Sequence, residues 1–416
     1  MRPGDTRRAS LSKDVRCPSV RSFGGHYCGD RYPRNTQQPW RIALSGDSSS
    51  PVVDTPTAAI GPEALRAAVD AKLAEFFATR REVVDTVGGG YPAAVADLEA
   101  FVLRGGKRMR PAFAWTAWLG AGGEPTGPRS DAVLRACSAL ELIQACALIH
   151  DDIIDSSSTR RGFPTVHVGF AQRHRDAGWS GSSNHFGESA AILVGDLALC
   201  WADDLLRESG IDNDAARRVQ PVWSAMRTEV LGGQLLDIEA EAGTDEGVAA
   251  AMRVNRFKTA AYTVERPLHL GAVLADADED LIAAYRSFGA DIGIAFQLRD
   301  DLLGVFGDPE VTGKPSGDDI TEGKRTVLIA SALKHADENR PDLAATIRAS
   351  LGTELDAEAV ADIRSILVEL GAVDAVERQI DELGARAVAT LDNSSIEPAA
   401  AAHLRAMATA AIKRQY

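Results

Sequence analysis

The amino-acid sequence predicts an all-α protein, folded as one large helical bundle, on three observations. From about residue 61 onward, apolar residues recur at the three- and four-residue spacing of amphipathic helices. No segment shows the alternation of a β-strand, and no segment repeats another. The hydrophobic share of 45% and the charged share of 25% are ordinary for a globular chain with a sizeable core.

The predicted helices follow one another with few interruptions. The first, PEALRAAVDAKLAEFFATRREVV, has Pro62 near its start, where proline is well tolerated. The upper part of DAVLRACSALELIQACALIHDDIID is apolar nearly all round, so we expect this helix to be buried. Helical spacing recurs in SAAILVGDLALCWADDLLRES, DLIAAYRSFGADIGIAFQLRDDLLGVF and AVADIRSILVEL, whereas RHRDAGWSGSSNHFGES and GDPEVTGKPSGDDITEGK are predicted to be irregular.

Residues 1–60 differ from the rest of the chain. They are rich in Arg, Ser, Pro and Gly and show no periodicity, which predicts a disordered N-terminal extension. An Arg-rich organelle-targeting peptide is one alternative, although the segment also carries several acidic residues and no clean amphipathic face. A mis-assigned start codon is another. Residues 61–416 are then expected to form a single helical domain.

The charge balance and the cysteines exclude several classes of protein. A net charge of −14 argues against a nucleic-acid binder, which needs a basic surface to displace counterions. The five cysteines, without a CxxC pair, indicate neither a disulfide framework nor a zinc site. No apolar run approaches the length of a membrane span, and the N-terminus lacks the apolar core of a secretory signal. We therefore expect a cytoplasmic protein without stable membrane insertion.

The segment HDDIIDSSSTRRGFPTVH, residues 150–167, concentrates charge directly after an apolar helix. Asp151 and Asp155 are four residues apart, so a helix presents both carboxylates on one face. Such a pair repels itself unless a cation joins it, and Mg²⁺ prefers a few carboxylates together with phosphate oxygens and water. An exposed acidic helix end is the alternative, but acidic groups at a helix C-terminus oppose the macrodipole.

A second acidic pair, Asp300–Asp301, also follows an apolar helix and precedes basic residues. Paired aspartates alone are a weak signal, because Asp203–Asp204 and Asp318–Asp319 occur as well, and we expect the former on a solvated helix face. Basic residues near glycines are suited to phosphate, since glycine lets the backbone approach closely. The basic groups are Lys107, Arg108 and Arg110 in LRGGKRMRP; Arg160 and Arg161; Lys258; and Lys314 and Lys324. Together with the acidic pairs they indicate a diphosphate held by Mg²⁺ and directly by Lys and Arg.

Six motifs resemble, in order, those of the trans-isoprenyl diphosphate synthases, the polyprenyl synthetase family. They are GGKRMRP, HDDIIDSSSTRRGFPTVH, GGQLLDIEAE, FKTAAYT, FQLRDDLLGVFGD and GKPSGDDITEGKRT, and the resemblance covers about residues 65–416. It implies an isoprenoid-synthase bundle around a central cavity, usually a homodimer. The implied reaction condenses isopentenyl diphosphate with dimethylallyl, geranyl or farnesyl diphosphate after Mg²⁺-assisted ionisation.

The resemblance implies roles for individual residues. Asp151, Asp155, Asp300 and Lys258 form the catalytic set; the three aspartates hold Mg²⁺, and Asp237 lies near the metal shell. Isopentenyl diphosphate is bound by Lys107, Arg110, Gln144 and Arg161, and the allylic diphosphate by Arg160, Lys258, Lys314 and Lys324. Thr259 and Gln297 lie beside the allylic carbons. Departing diphosphate is the expected base for the final proton, so no Ser, Cys or His nucleophile is required.

Two positions depart from the family pattern. Gln144 stands where many members have histidine, and its amide can still donate a hydrogen bond. Gly304 replaces the third aspartate of the second acidic motif, with Asp308 further on; because Asp300 remains, we expect activity. The Gly- and Pro-rich segment 308–324 is interpreted as a lid that excludes water from the allylic cation.

Small residues one turn before Asp151 set the expected product length. Ile143, Cys146 and Ala147 should line the hydrocarbon tunnel, since they point the same way as Asp151. In the family, an aromatic residue four or five positions before the first aspartate gives a fifteen-carbon product. Here those positions are small, so geranylgeranyl diphosphate, with twenty carbons, is expected; farnesyl or longer polyprenyl products are alternatives. Small residues that merely permit close helix packing are the competing interpretation.

Two other functions stay open at this point. A class I terpene cyclase shares the aspartate–metal chemistry, but it has no need of the isopentenyl diphosphate site that GGKRMRP implies. A non-catalytic regulatory subunit of a prenyltransferase should have lost aspartates or lysines, and here nearly all are present.

Overall fold

The computed structural model describes residues 61–243, 245–307 and 317–413, and this part of the chain is almost entirely helical. The helices are α1 Pro62–Val87, α2 Tyr91–Leu103, α3 Met109–Gly120, α4 Pro128–Ile154, α5 Val166–Asp176, α6 Ser183–Arg207, α7 Asn213–Ala242, α8 Val248–Val254, a π-helix Asn255–Glu265, α9 Arg266–Leu274, α10 Glu279–Phe306, α11 Asp318–Thr321, α12 Val327–Asn339, α13 Pro341–Ser350, α14 Ala357–Glu369, α15 Ala372–Asp392 and α16 Pro398–Ile412. The predicted extension 1–60, Asp308 and Lys314 lie outside the described residues.

The all-α prediction is confirmed, with one small exception. Strands β1 Thr159–Arg160 and β2 Phe163–Pro164 pair in antiparallel fashion directly after α4. The two residues between them, Arg161 and Gly162, both have positive φ angles, of 54° and 78°. This is the backbone of a tight primed turn, which reverses the chain within two residues. The hairpin brings Arg160 back to the end of α4, beside Asp151 and Asp152, whereas Arg161 reaches the Gly105 carbonyl.

One predicted loop is largely helical. Within residues 173–189, α5 continues to Asp176 and α6 begins at Ser183, so only the short stretch between them is irregular. The Ser182 side chain accepts a hydrogen bond from the backbone N–H of His185 at 3.3 Å, which caps α6. The Gly- and Ser-rich sequence thus marked a helix boundary rather than a long loop.

Helix α4 is a central core element, as its apolar sequence predicted. Its residues Leu140, Leu142 and Ile149 are buried, and α6 packs along it. The expectation that no segment is long enough for a membrane span was wrong, because Pro128–Ile154 suffices by length and apolar composition. However, 78% of its most apolar window is buried inside the protein, which is typical of a core helix.

The π-helix is held closely between α7 and α10. A Cβ atom on Gly233 of α7 would lie 2.2 Å from the backbone nitrogen of Lys258, and one on Gly293 of α10 would lie 2.7 Å from Ala260 Cα. Only glycine permits this approach on both sides. π-Helical turns are rare and occur frequently at functional sites. The sequence pattern did not predict this segment, because hydrophobic spacing does not distinguish it from an α-helix.

Candidate active site

One cavity of about 1490 Å³ opens among α3, α4, α7, the π-helix and α10. Every site residue predicted from the sequence that lies in the described chain lines it: Lys107, Arg110, Ile143, Gln144, Cys146, Ala147, Asp151, Asp155, Arg160, Arg161, Asp237, Lys258, Thr259, Gln297, Asp300 and Lys324. These residues come from segments up to about 220 positions apart, so the fold has brought six separate motifs to one place. Their individual roles remain predictions.

Asp151 at the end of α4 is surrounded by groups that favour its ionised form. Lys258 Nζ lies 3.1 Å from its Oδ1, and Gln234 Nε2 donates a hydrogen bond to the same oxygen at 3.1 Å. Arg160 Nη2 lies 3.5 Å from Oδ2. Burial alone would raise the pKa of Asp151, but the charges of Lys258, Lys324 and Arg160 hold it below its usual value.

Asp155, one turn further on, behaves differently. Its Oδ2 lies 3.3 Å from Lys324 Nζ, yet burial and the negative charge of Asp151 raise its pKa. Lys258 and Lys324 themselves have raised pKa values: burial opposes their charge, but the surrounding carboxylates outweigh it. The cavity therefore holds two ammonium groups among several carboxylates, an arrangement suited to a multiply charged ligand.

The α10 wall faces this group with Asp300 and Asp301. Both line the cavity, and Asp301 is buried and accepts a hydrogen bond from Gln297 Nε2 at 2.7 Å. Burial, with added repulsion from neighbouring carboxylates, raises the pKa of Asp301 to about 8. Gln297, predicted to lie beside the allylic carbons, is thus held in place from its own helix.

Asp152 is a residue that the sequence analysis left without a role. Its side chain is 0% exposed, and its Oδ1 accepts a hydrogen bond from Arg160 Nε at 2.7 Å, while Arg160 Nη2 lies 2.6 Å from the same oxygen. These two contacts hold the guanidinium group beside Asp151. Helical spacing places Asp152 off the face that Asp151 and Asp155 share. That offset was the only sign in the sequence that Asp152 has a different role.

The three basic residues of the segment after α2 all line the cavity, but Arg108 is also bound to other elements. Arg108 is buried, and its guanidinium group binds Asp70 Oδ1 at 2.7 Å, Glu141 Oε2 at 2.7 Å and the Val102 carbonyl oxygen at 2.7 Å. Of the three basic residues in GGKRMRP, Arg108 therefore anchors the segment to α1 and α4. Lys107 and Arg110 lie on either side of it along the cavity wall.

Arg110 and Gln144 are linked through the π-helix. Arg110 Nη2 donates a hydrogen bond to Thr263 Oγ1 at 2.8 Å, and its guanidinium group stacks over the Tyr262 ring at 4.2 Å from the ring centroid. The Tyr262 hydroxyl donates to Gln144 Oε1 at 2.8 Å. Arg161 Nη1 approaches from the hairpin and donates to the Gly105 carbonyl at 2.9 Å. Tyr262 and Thr263 had no assigned role in the sequence analysis.

The carboxylates of α4 and α10 that line the cavity fit Mg²⁺ if a diphosphate supplies further ligands. Among residues 61–243, 245–307 and 317–413, no group of three or more His, Cys, Asp or Glu side chains could hold a metal by itself. Mg²⁺ commonly takes only one or two protein carboxylates and fills its remaining positions with water and substrate phosphates. The oxygen-only donors Asp151, Asp155 and Asp300 therefore fit a Mg²⁺ ion that binds together with a diphosphate.

Comparisons with known proteins identify the family of the chain. Residues 94–367 match the family described as polyprenyl synthetase. A geranylfarnesyl diphosphate synthase from Aeropyrum pernix is 33% identical over 276 residues, covering 66% of this chain and 79% of that protein. A geranylgeranyl diphosphate synthase from Mycobacterium tuberculosis is 32% identical, covering 70% of this chain and 77% of the relative.

A solved structure is similar along nearly its whole length. The geranylgeranyl pyrophosphate synthase from Corynebacterium glutamicum, crystallised with isoprenyl diphosphate and magnesium, superimposes with a TM-score of 0.82 at 49% identity. The match covers 85% of this chain and 99% of that one. The all-helical fold and the similarity to prenyl diphosphate synthases identify a prenyltransferase. The chain belongs to the polyprenyl synthetase family, as its six motifs indicated.

Proposed function

We propose that the protein is a trans-prenyltransferase that condenses isopentenyl diphosphate with allylic diphosphates, giving geranylgeranyl diphosphate. One observation carries this proposal: a single cavity joins the carboxylates of α4 and α10 to a separate basic group formed by Lys107, Arg110 and Arg161. Two anionic substrates can then bind side by side in the geometry that their condensation needs. A terpene cyclase would have no use for the second anion site.

The allylic diphosphate belongs at the acidic end of the cavity. When bound there, Mg²⁺ supplies Lewis-acid polarisation of the diphosphate oxygens. Asp151, Asp155 and Asp300 would hold the metal, while Lys258, Lys324 and Arg160 neutralise the negative charge that develops on the leaving diphosphate. Asp152 keeps Arg160 oriented for this purpose. These cationic groups are already fixed before substrate arrives, so little reorganisation is needed during ionisation.

Isopentenyl diphosphate belongs at the basic end. Arg110, held by Tyr262 and Thr263, would bind its diphosphate together with Lys107 and Arg161. The Gln144 amide is fixed by Tyr262 and can donate to the same group. The double bond of isopentenyl diphosphate then faces the allylic carbon beside Thr259 and Gln297. Departing diphosphate takes up the proton that the product loses.

The proposed twenty-carbon product rests on the α4 side of the cavity. Ile143, Cys146 and Ala147 line it one and two turns before Asp151 and leave room for a hydrocarbon chain. The relatives named above as geranylgeranyl diphosphate synthases support the same length. Farnesyl and longer polyprenyl diphosphates are the alternative products that the assay below distinguishes.

A homodimer is part of the proposal. Helices α6 and α7 expose large apolar side chains on the described surface, namely Ile192, Leu193, Leu231, Leu235 and Ile238. Large apolar side chains exposed on a surface can mark an interface. The buried position of α4 supports the absence of membrane insertion, and a cytoplasmic location is proposed from the sequence features alone.

Incubation of the purified protein with Mg²⁺, isopentenyl diphosphate and each allylic primer, followed by mass analysis, tests the function. We expect prenyl diphosphates that end at twenty carbons. Hydrocarbon formation from an allylic diphosphate alone would identify a cyclase. An absence of turnover with every primer would favour a regulatory subunit and would contradict the proposal.

A further inference from the structure

Helix α10 has a gap at the position where α4 carries its second carboxylate. Asp300 and Gly304 are four residues apart, the same spacing as Asp151 and Asp155 on α4. Side chains at this spacing lie on one face of a helix. Gly304 lines the cavity, so a residue there would point toward the diphosphate end of the site. The helix itself supplies no carboxylate at that position.

The gap is occupied by a carboxylate from another element. A Cβ atom on Gly304 would lie 2.0 Å from Asp319 Oδ2 and 2.5 Å from Asp319 Cγ, far inside van der Waals contact. The Asp319 carboxylate, from the short helix α11, therefore fills the space of a side chain at position 304. It also lines the cavity and is only 14% exposed.

Asp319 is directed toward the α4 carboxylates as well as toward α10. Lys324 Nζ lies 4.0 Å from Asp319 Oδ1 and 3.3 Å from Asp155 Oδ2. One ammonium group thus already links the carboxylates of the two walls. Asp319, together with Asp155, would therefore be available to a cation bound with a diphosphate at this end of the cavity.

We propose that Asp319 supplies the second carboxylate of the α10 wall, in the space left by Gly304, and helps bind the Mg²⁺–diphosphate group. The proposal rests on the proposed function, since it assumes that this end of the cavity binds a metal–diphosphate. It makes Gly304 a required partner of Asp319, because any larger residue would displace the carboxylate. The Asp319 carboxylate then takes the place of the aspartate that is missing at position 304. The metal site therefore needs no aspartate of α10 at that position.

Metal binding provides the first test. Binding of Mn²⁺ in the presence of inorganic diphosphate is followed by the electron paramagnetic resonance signal of free Mn²⁺, without turnover. Asp319→Asn keeps the shape of the side chain and should weaken Mn²⁺ binding about 10- to 100-fold, the usual cost of losing a metal-site partner. Unchanged binding would overturn the proposal.

Glu322→Gln is the matched control, because Glu322 Oε2 also contacts Lys324 Nζ, at 2.5 Å. If Asp319 acted only by positioning Lys324, both variants should weaken Mn²⁺ binding equally, and that result would also overturn the proposal. We expect Glu322→Gln to bind Mn²⁺ within about twofold of the wild type. Wild-type protein that forms no prenyl diphosphate in the product assay would instead contradict the proposed function, whatever the variants bind.

A positional exchange tests the role of the gap. Gly304→Asp in the Asp319→Ala background moves the carboxylate onto α10 and removes the atoms with which it would collide. This double variant should recover most of the Mn²⁺ affinity that Asp319→Ala loses. Gly304→Ala alone should weaken Mn²⁺ binding, and it should have little further effect once Asp319 is alanine. If the exchange recovers nothing, position 304 and Asp319 do not serve the same place in the site.

Discussion

Helices α4 and α10 carry acidic residues near their C-terminal ends on facing sides of the cavity, but they are built differently. On α4, Asp151 and Asp155 both belong to the helix. On α10, Asp300 is followed by Gly304, and the neighbouring carboxylate comes from Asp319 of α11. The first wall is therefore specified by local spacing, whereas the second depends on a tertiary contact between separate elements.

The same two helices also differ one turn before their first cavity aspartate. Ala147 occupies that position on α4, and Phe296 occupies it on α10, where its ring lines the cavity. We therefore expect the space for a hydrocarbon chain to lie along α4. Under the proposed function, α4 would combine metal binding with the tunnel, while α10 would combine metal binding with a bulky wall.

The largest effect is expected from removing a carboxylate of the local pair. Asp151→Ala should lower kcat on the order of 10²–10³-fold, a typical cost of removing one preorganised group that stabilises developing charge. Steady-state assays at saturating Mg²⁺ measure this, with circular dichroism to confirm folding. Asp204→Ala, on α6 and outside the cavity lining, is the control. A folded Asp151→Ala protein with normal kcat would refute the metal assignment.

The second prediction compares the ion pairs that hold α4 and α10 in place. Arg108→Ala leaves Glu141 of α4 buried without its partner and should lower the free energy of unfolding by about 3–5 kcal/mol. Glu377→Gln weakens the pair that Glu377 forms with Arg299 of α10 at 2.6 Å, and it should cost less because Glu377 is more exposed. Chemical denaturation of both variants decides this. Equal losses of unfolding free energy would show that the Arg108–Glu141 pair stabilises the protein no more than the Arg299–Glu377 pair.

Much of this comparison was predictable from the sequence. The Asp151–Asp155 pair, the basic groups and the small residues before Asp151 are local patterns, and those among the described residues line the cavity. Asp319 was not assigned, because Asp318–Asp319 looked like an ordinary acidic pair until its contact with Gly304 was known. The buried partnership of Arg108 with Glu141 was missed for the same reason: ion pairs between distant segments leave no periodic signal.

The third prediction tests whether the basic end of the cavity binds a different substrate from the acidic ends of α4 and α10. Arg110→Ala removes a charged hydrogen-bond donor and should raise KM for isopentenyl diphosphate about 10- to 100-fold, corresponding to roughly 1.5–3 kcal/mol. The KM for the allylic substrate should change little. Arg175→Ala, an exposed arginine on α5, serves as the control. A selective rise in the allylic KM would reverse the assignment of substrates to the two ends.

The smallest change in kcat is expected from substitution of Cys146 on α4. This substitution should instead change the length of the product. Cys146 is buried and lines the cavity, so Cys146→Phe should fill the tunnel beyond Ala147 and shift products from twenty toward fifteen carbons. Cys146→Ser keeps the size of the side chain and should leave the lengths unchanged. Phe296→Ala tests the facing wall: longer products there would mean that α10, not α4, limits the chain. If the wild type already stops at fifteen carbons, or if Cys146→Phe leaves the lengths unchanged, the tunnel does not run along α4.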